Sequence, residues 1–412
     1  MSSLAAPPVP NLRQDAAVIG LVGLAHGVSH FSQLLLPPLF PWLKDAFAVN
    51  YTQLGLLLTI FFIVSCAVQT LSGFVVDRFG PRPVLMGGLA LIGLAAVGYA
   101  LAPSYAALAL CSVIAGIGNG VFHPVDYTLL NAKVHKSRLG HAYSVHGITG
   151  SLGWALAPAL MVPVALAWGW RTALFCAAAV AFIVLAALWW QRDRLQHLPA
   201  APAAGSAHAA EGSFDFLRLP AVWMCFGFFL FYAGALSVVQ TYAPEAARQL
   251  HGVPVHLAAA CLSVYMVCSA AGMVAGGFLA TDPARCERIV GIGFGIAAAV
   301  ALTLGLGNVP ALAVPVLFGA MGAAAGIAGP SRDLLVKRST PEGATGRVYG
   351  VVYSGLDIGQ ALTPLVFGRL MDGHAFQGVL IGLALLQLVL IASAFNVRRF
   401  GPAAPRPVSA SA

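Results

Sequence analysis

His26, His30 and Gln33 stand at i, i+4 and i+7, a spacing that puts three side chains on one face of a helix. Asn119, His123 and Asp126 repeat that spacing further along the chain. Both sets sit in long apolar runs. A charge at the centre of a bilayer costs roughly 2.5–3.5 kcal/mol on insertion scales, so such groups face the bundle interior or a water-filled cavity. Imidazole titrates near neutral pH, so His26, His30 or His123 is suited to take up and release a proton. The competing reading is packing, with each histidine bonded to a neighbouring helix. Hydrolytic chemistry is a poorer fit. His26-Gly27-Val28-Ser29-His30 has the histidine spacing of a metalloprotease helix, but Gly27 stands where the general-base Glu would be, and no metal set is expected. Neither a GxSxG nucleophile elbow nor a phosphate loop ending in GK[ST] occurs, so the chain is not expected to be an enzyme or to bind a cofactor.

The elements that must hold these residues follow from composition. Of 412 residues, 59% are hydrophobic and 9% charged. Soluble domains carry about 25% charged residues, so lipid is the main solvent here. Non-alternating apolar runs near the ~20 residues that cross a bilayer must be helices, because lipid offers backbone groups no partner. Twelve spans are expected, six in residues 1–190 and six in 220–396. An Ala- and Pro-rich linker over 191–219 joins them, and a tail follows 397. No cleavable leader is read before the first span. With both termini cytoplasmic, only Lys44, Arg171, Arg248 and Arg369 fall on outer segments and Arg332 within a span; all other Lys and Arg lie on cytoplasmic segments. That bias orients the chain and accounts for most of the net charge of +8 without a nucleic-acid partner. The seven cysteines lie in or beside apolar runs without paired spacing and read as packing residues.

The two halves are copies. Pro124 to Pro158 recurs, 206 residues on, as Pro330 to Pro364. Gly140, Tyr143, Gly153 and Pro158 match Gly346, Tyr349, Gly359 and Pro364, and the GxxxG pair Gly116/Gly120 matches Gly322/Gly326. A half-length repeat implies one six-helix unit used twice. The polar chemistry does not repeat: His26, His30 and Gln33 correspond to Tyr232, Leu236 and Val239, and Asn119, His123 and Asp126 to Ala325, Gly329 and Arg332. Arg332 is thus expected at the depth of Asp126, either pairing with it as a gate or holding an anionic substrate; Asp333 is another partner. Asp357, the deepest lone acid, is a proton site or a bond to a neighbouring helix. His146 receives the same two readings, with packing favoured. Tyr232, Gln240 and Tyr242 could supply hydrogen bonds and an aromatic wall.

Between the second and third spans lies GFVVDRFGPRPVL, Gly73 to Leu85. It resembles the Gly-x-x-x-Asp-Arg-x-Gly-basic-basic loop of the major facilitator superfamily, with Gly73, Asp77, Arg78, Gly80 and Arg82 in place and Pro81 departing. The resemblance implies an all-α polytopic membrane protein of twelve transmembrane helices in two six-helix halves related by pseudo-two-fold symmetry. It implies a cavity lined by spans 1, 4, 7 and 10, and a loop that pairs the halves on the cytoplasmic side, here against Gly346 and Arg347. It further implies a secondary transporter in the inner membrane, a monomer whose partners are a small-molecule substrate, a proton and the bilayer. Two exporter patterns are missing: Ser112 stands at the span-4 Arg position, and Gly147, Gly150, Gly153 and Pro158 are spaced unlike the span-5 pattern. Phe122-His123-Pro124 is similar to fosmidomycin-resistance-type exporters. The expected function is proton-coupled export of small organic molecules; the alternative is proton-coupled uptake or facilitated diffusion of a small organic anion.

Overall fold

The structure, a computed structural model, describes residues 12–196, 220–279, 285–339 and 345–400. Apolar runs with few breakers become helices as expected. In the N-half these are α1 (Leu12–Gln33), the short α2 (Phe40–Phe47), α3 (Tyr51–Phe79), α4 (Pro81–Leu101), α5 (Tyr105–Asn119), α6 (Phe122–Lys133), α7 (Leu139–Trp168) and α8 (Trp170–Trp190). The C-half follows with α9 (Pro220–Thr241), the short α10 (Ala243–His251), α11 (Val255–Leu279), α12 (Cys286–Leu306), α13 (Val314–Ser339), α14 (Thr345–Asp372) and α15 (Phe376–Phe400). Among the described residues ten helical stretches are long and apolar enough to cross a membrane. Helices α14 and α15 take the eleventh and twelfth positions.

Each half follows its first span with a short helix, α2 or α10, so the duplication extends to that detail. One difference bears on the site. The fourth span of the N-half is broken at Gly120–Val121, between α5 and α6, whereas its C-half counterpart α13 is continuous. The GxxxG pairs act as close-approach points: a Cβ on Gly116 would lie 2.6 Å from the Phe61 carbonyl oxygen, and Gly322 meets the Tyr265 carbonyl in the same way. They bring α5 onto α3 and α13 onto α11. The expected linker begins with an ordered 3-10 turn, Arg192–Leu195, whose Leu195 is buried; its later residues lie outside the described ones.

The halves meet through α3 against α14 and α7 against α11. On the face where α3 begins, polar bonds close the seam. Asp372 accepts from the backbone N–H of Tyr51 (2.7 Å) and Thr52 (3.0 Å). The Tyr242 hydroxyl donates toward the Tyr51 and Pro364 carbonyls, and the Thr59 hydroxyl donates to Ala361 O at 2.6 Å. The opposite end of α3 is different: Asp77 and Arg78 are exposed, and nothing lies within 4 Å of the Cβ position of Gly73. Gly80, at φ 81°, ends α3, and Pro81 opens α4 at its first position. Pro is preorganised there, which explains the departure from the basic residue of the loop pattern. Arg82 is half-buried at the start of α4. The expected partner of this loop is the start of the eleventh span near Gly346 and Arg347, whose side-chain contacts lie outside the described residues.

Candidate functional site

Three helices of the N-half converge on one carboxylate. His26 on α1 bonds Asp126 Oδ2 through Nδ1 at 3.0 Å, and His146 on α7 bonds the same oxygen through Nε2 at 3.1 Å. Asp126 is 0% exposed, and both imidazoles are buried. The two rings stack with centroids 3.5 Å apart. With the carboxylate accepting, each histidine donates N–H to it. His30 packs one turn along α1, its ring 4.3 Å from His26 and 4.2 Å from Trp154 on α7. His123, the exposed member, bonds Gln69 Oε1 of α3 through Nδ1 at 3.0 Å.

Gly150 makes this convergence possible. A Cβ there would lie 2.7 Å from His30 Nδ1 and 3.0 Å from His26 Nε2, so any side chain would displace both rings. Asn119 and His123, one turn apart on the fourth span, meet Ser65 and Gln69, one turn apart on α3. Asn119 Oδ1 accepts from Ser29 Oγ at 2.7 Å and Gln33 Nε2 at 3.3 Å, while its Nδ2 donates to Ser65 Oγ at 2.9 Å. Trp154 Nε1 donates to Gln33 Oε1 at 2.9 Å and ties the amide layer to the imidazole layer.

The two spacing-based stripes therefore form one site, in which His26, His30, Gln33, Asn119, His123 and Asp126 all take part. His146 belongs to it as fully as any of them. His146 reads either as a proton site or as a bond to a neighbouring helix; α7 lies against α1 and brings its ring to the Asp126 carboxylate on α6, a bond of the second kind. Gln69, Ser29, Ser65 and Trp154 complete the site. Their types carry no special signal in an apolar helix, and only the helix packing reveals them. Asp126 finds these partners within its own half; Arg332, its expected partner across the halves, and Asp333, the other expected partner of Arg332, have side chains outside the described residues.

The remaining candidates lie elsewhere. Gln240 accepts from Gln360 at 3.3 Å within the C-half, and Tyr232 packs edge-on to Phe294 with centroids 6.3 Å apart. Tyr242 is part of the closed seam rather than a cavity wall. Asp357 on α14 lies beside Cys66 on α3, a contact between the halves. Ser112, at the position of the missing exporter Arg, is fully buried and bonds the Tyr99 hydroxyl at 2.9 Å, a packing role.

The chain resembles known transporters at several levels. It is 30% identical over 179 residues to an uncharacterized MFS-type transporter, YfnC, of Bacillus subtilis, covering 42% of this chain and 43% of that protein. It is 27% identical over 184 residues to the fosmidomycin resistance protein of Escherichia coli, covering 45% and 43%. The matches thus span less than half the length of these curated relatives. The crystal structure of a bacterial homologue of the human lysosomal transporter Spinster, in an inward-facing and occupied conformation, superposes with a TM-score of 0.77 over 95% of this chain and 98% of that one, at 15% identity, a likeness of fold. The model of the Major Facilitator Superfamily matches residues 22–364, the paired halves and the loop included. With one helical unit used twice, a seam closed on one face and a polar site buried in the bundle, the chain belongs to the Major Facilitator Superfamily, a family of membrane transporters.

Proposed function

We propose that the protein is a proton-coupled exporter of small organic molecules, working by alternating access in the inner membrane with both termini cytoplasmic. The observation that carries the coupling is Asp357. A coupling group must experience different surroundings in the two transport states, since a ligand shifts an equilibrium only through its differential affinity for them. The imidazole cluster joins α1, α6 and α7, which move together when the halves rock. Asp357 on α14 instead lies beside Cys66 on α3, a titratable group that faces it from the other half. Separation of α3 from α14 exchanges that partner for water, which changes the proton affinity of Asp357 with each cycle. The cluster, with Trp154 and Asn119, then serves as the substrate wall, in keeping with midplane binding between repeats.

The bias of Lys and Arg supports cytoplasmic termini, and the exposed Asp77 with the closed Asp372 seam supports an inward-facing state. The relative named for fosmidomycin resistance supports the outward direction. The test is proton flux in proteoliposomes with a pH-sensitive dye inside, screened against pools of organic anions, cations and neutral drugs. A pool that triggers flux in the wild type and not in Asp357→Asn is expected. Solute movement with no proton flux for any pool would overturn the coupling and leave a uniporter; flux unchanged by Asp357→Asn would move the proton elsewhere.

A further inference from the structure

Zn2+-type ions prefer imidazole ligands in tetrahedral sets of about 2.0–2.1 Å bonds, and three protein ligands leave one position open. One ring nitrogen each from His26, His30 and His123 lie within 4.8 Å of one another. We propose that these three histidines form a binding site for a divalent transition-metal ion of the Zn2+ class, independent of the coupling ion and direction of transport.

Three observations support the set. First, the ring nitrogens are available. His26 Nδ1 is taken by Asp126 and His123 Nδ1 by Gln69, which leaves Nε2 of each for a metal. His30 Nδ1 is buried and makes no well-formed hydrogen bond. His26 Nε2 and His30 Nδ1 face the same small space at Gly150. Second, the outer partners are those a metal site requires. A histidine ligand is held in tautomer and orientation by a carboxylate or amide oxygen on its other nitrogen. Asp126 does this for His26, and Gln69 for His123. The Asp126 carboxylate also balances the positive charge of an ion bound to neutral imidazoles. Third, access is built in. His123 is exposed where His26 and His30 are buried, so the open coordination position looks toward the His123 side. A tetrahedral ion brings its ligand atoms to about 3.4 Å from one another, a contraction that rotation of the exposed His123 can supply. A water or a lone-pair donor of a substrate, such as a carboxylate, would fill the fourth position.

A second group, His26, Asp126 and His146, is also close enough to hold an ion. All three are buried, and Asp126 Oδ2 is already the acceptor for both rings. An ion there would have to replace two N–H donors without an open face, so the exposed set is the better site.

The full-length protein, purified without a histidine tag and stripped with chelator, is titrated with Zn2+ by calorimetry and with Co2+ by visible absorption. One ion per chain with the intense bands of tetrahedral Co2+ is expected. His123→Ala and His30→Ala abolish it. Asp126→Asn and Gln69→Leu weaken it by about 10- to 100-fold, the usual loss for an outer partner. His256→Ala, at an exposed histidine outside the cluster, leaves it unchanged. Monodisperse elution and an unchanged helical circular dichroism spectrum control for folding, with His123→Gln as the milder variant. Binding no stronger in the wild type than in His123→Ala would overturn the site. So would a loss seen in His26 and His146 variants but not in His123 variants, which would assign the ion to the buried group.

Discussion

Asp372, the last residue of α14, accepts both the backbone N–H (3.0 Å) and the hydroxyl (2.6 Å) of Thr52 in the first turn of α3. With the Tyr51 N–H also bonded to Asp372, and Gln53 N–H held by the Asn50 side chain, a helix start in one half is capped by a carboxylate from the other. The first turn of a helix carries unsatisfied donors and partial positive charge, so a carboxylate is the group that suits it. This cap exists only while the seam on that face is closed.

Asp372→Ala is therefore expected to favour the state in which that face opens. Hydrogen bonds to charged groups contribute about 1.5–3 kcal/mol, so the open population should rise roughly 10- to 100-fold. Spin labels at Asp45 and Gln377, exposed positions on that face in opposite halves, would report it as a longer distance in electron resonance. An unchanged distance distribution would remove the gating role.

The half-length repeat, the spans and the loop were all readable before folding, because each is a periodicity or a fixed local spacing. Helical spacing also gave His26, His30, His123 and Asp126. It named His146 without its partner and missed Trp154, since their place in the site depends on α7 lying against α1, a contact between residues far apart in sequence. It placed Asn119 and His123 on one helix face, and they meet Ser65 and Gln69, one turn apart on α3. Tyr242 was read from its place in the seventh span as a source of hydrogen bonds and an aromatic wall. Its hydroxyl serves two carbonyls at the seam, partners set by the meeting of the halves.

Asp126→Asn tests how the cluster holds itself together. An Asn oxygen can accept from the two histidines only as a neutral group, and its amide hydrogens have no acceptor between the two rings. Loss of charge-assisted bonds to buried donors is expected to lower stability by about 1.5–3 kcal/mol. Thermal unfolding in detergent would show a lower midpoint, and Asp126→Ala a lower one still. An unchanged midpoint would mean that both imidazoles are satisfied without the carboxylate.

Asp357→Asn separates coupling from transport. The amide keeps the size of the side chain and its reach toward Cys66, but it does not titrate. Exchange of substrate across the membrane at equal concentrations should persist, while accumulation against a gradient driven by a pH difference should fall to the level of passive equilibration. Retention of pH-driven accumulation would clear Asp357 of that role, and loss of exchange as well would make it a structural residue of the seam.

Gly150→Ala tests the space shared by His26 and His30. The new methyl would meet both rings at 2.7 to 3.0 Å, inside ordinary contact distance. Overpacking of this kind costs typically 1–3 kcal/mol, so the variant should fold with reduced stability. The larger effect should fall on ligand binding, because the displaced nitrogens are those that face the site.

Gly55→Ala addresses the seam from the opposite direction to Asp372→Ala, by adding an obstacle rather than removing a bond. A Cβ on Gly55 would lie 2.5 Å from the Tyr242 hydroxyl and 2.7 Å from Pro364 O. A carbonyl oxygen in a helix cannot move away, so the methyl must hold α3 off α14. The clash is present only in the state described here, in which that face is closed, and rocking of the halves relieves it. The variant should therefore fold normally, populate the open state on that face as Asp372→Ala does, and cycle more slowly. The double variant should add little to either single change, since both act on one closure. If Gly55→Ala instead unfolds the protein, the close approach of α3 and α14 is permanent, and the halves must rock about a different contact.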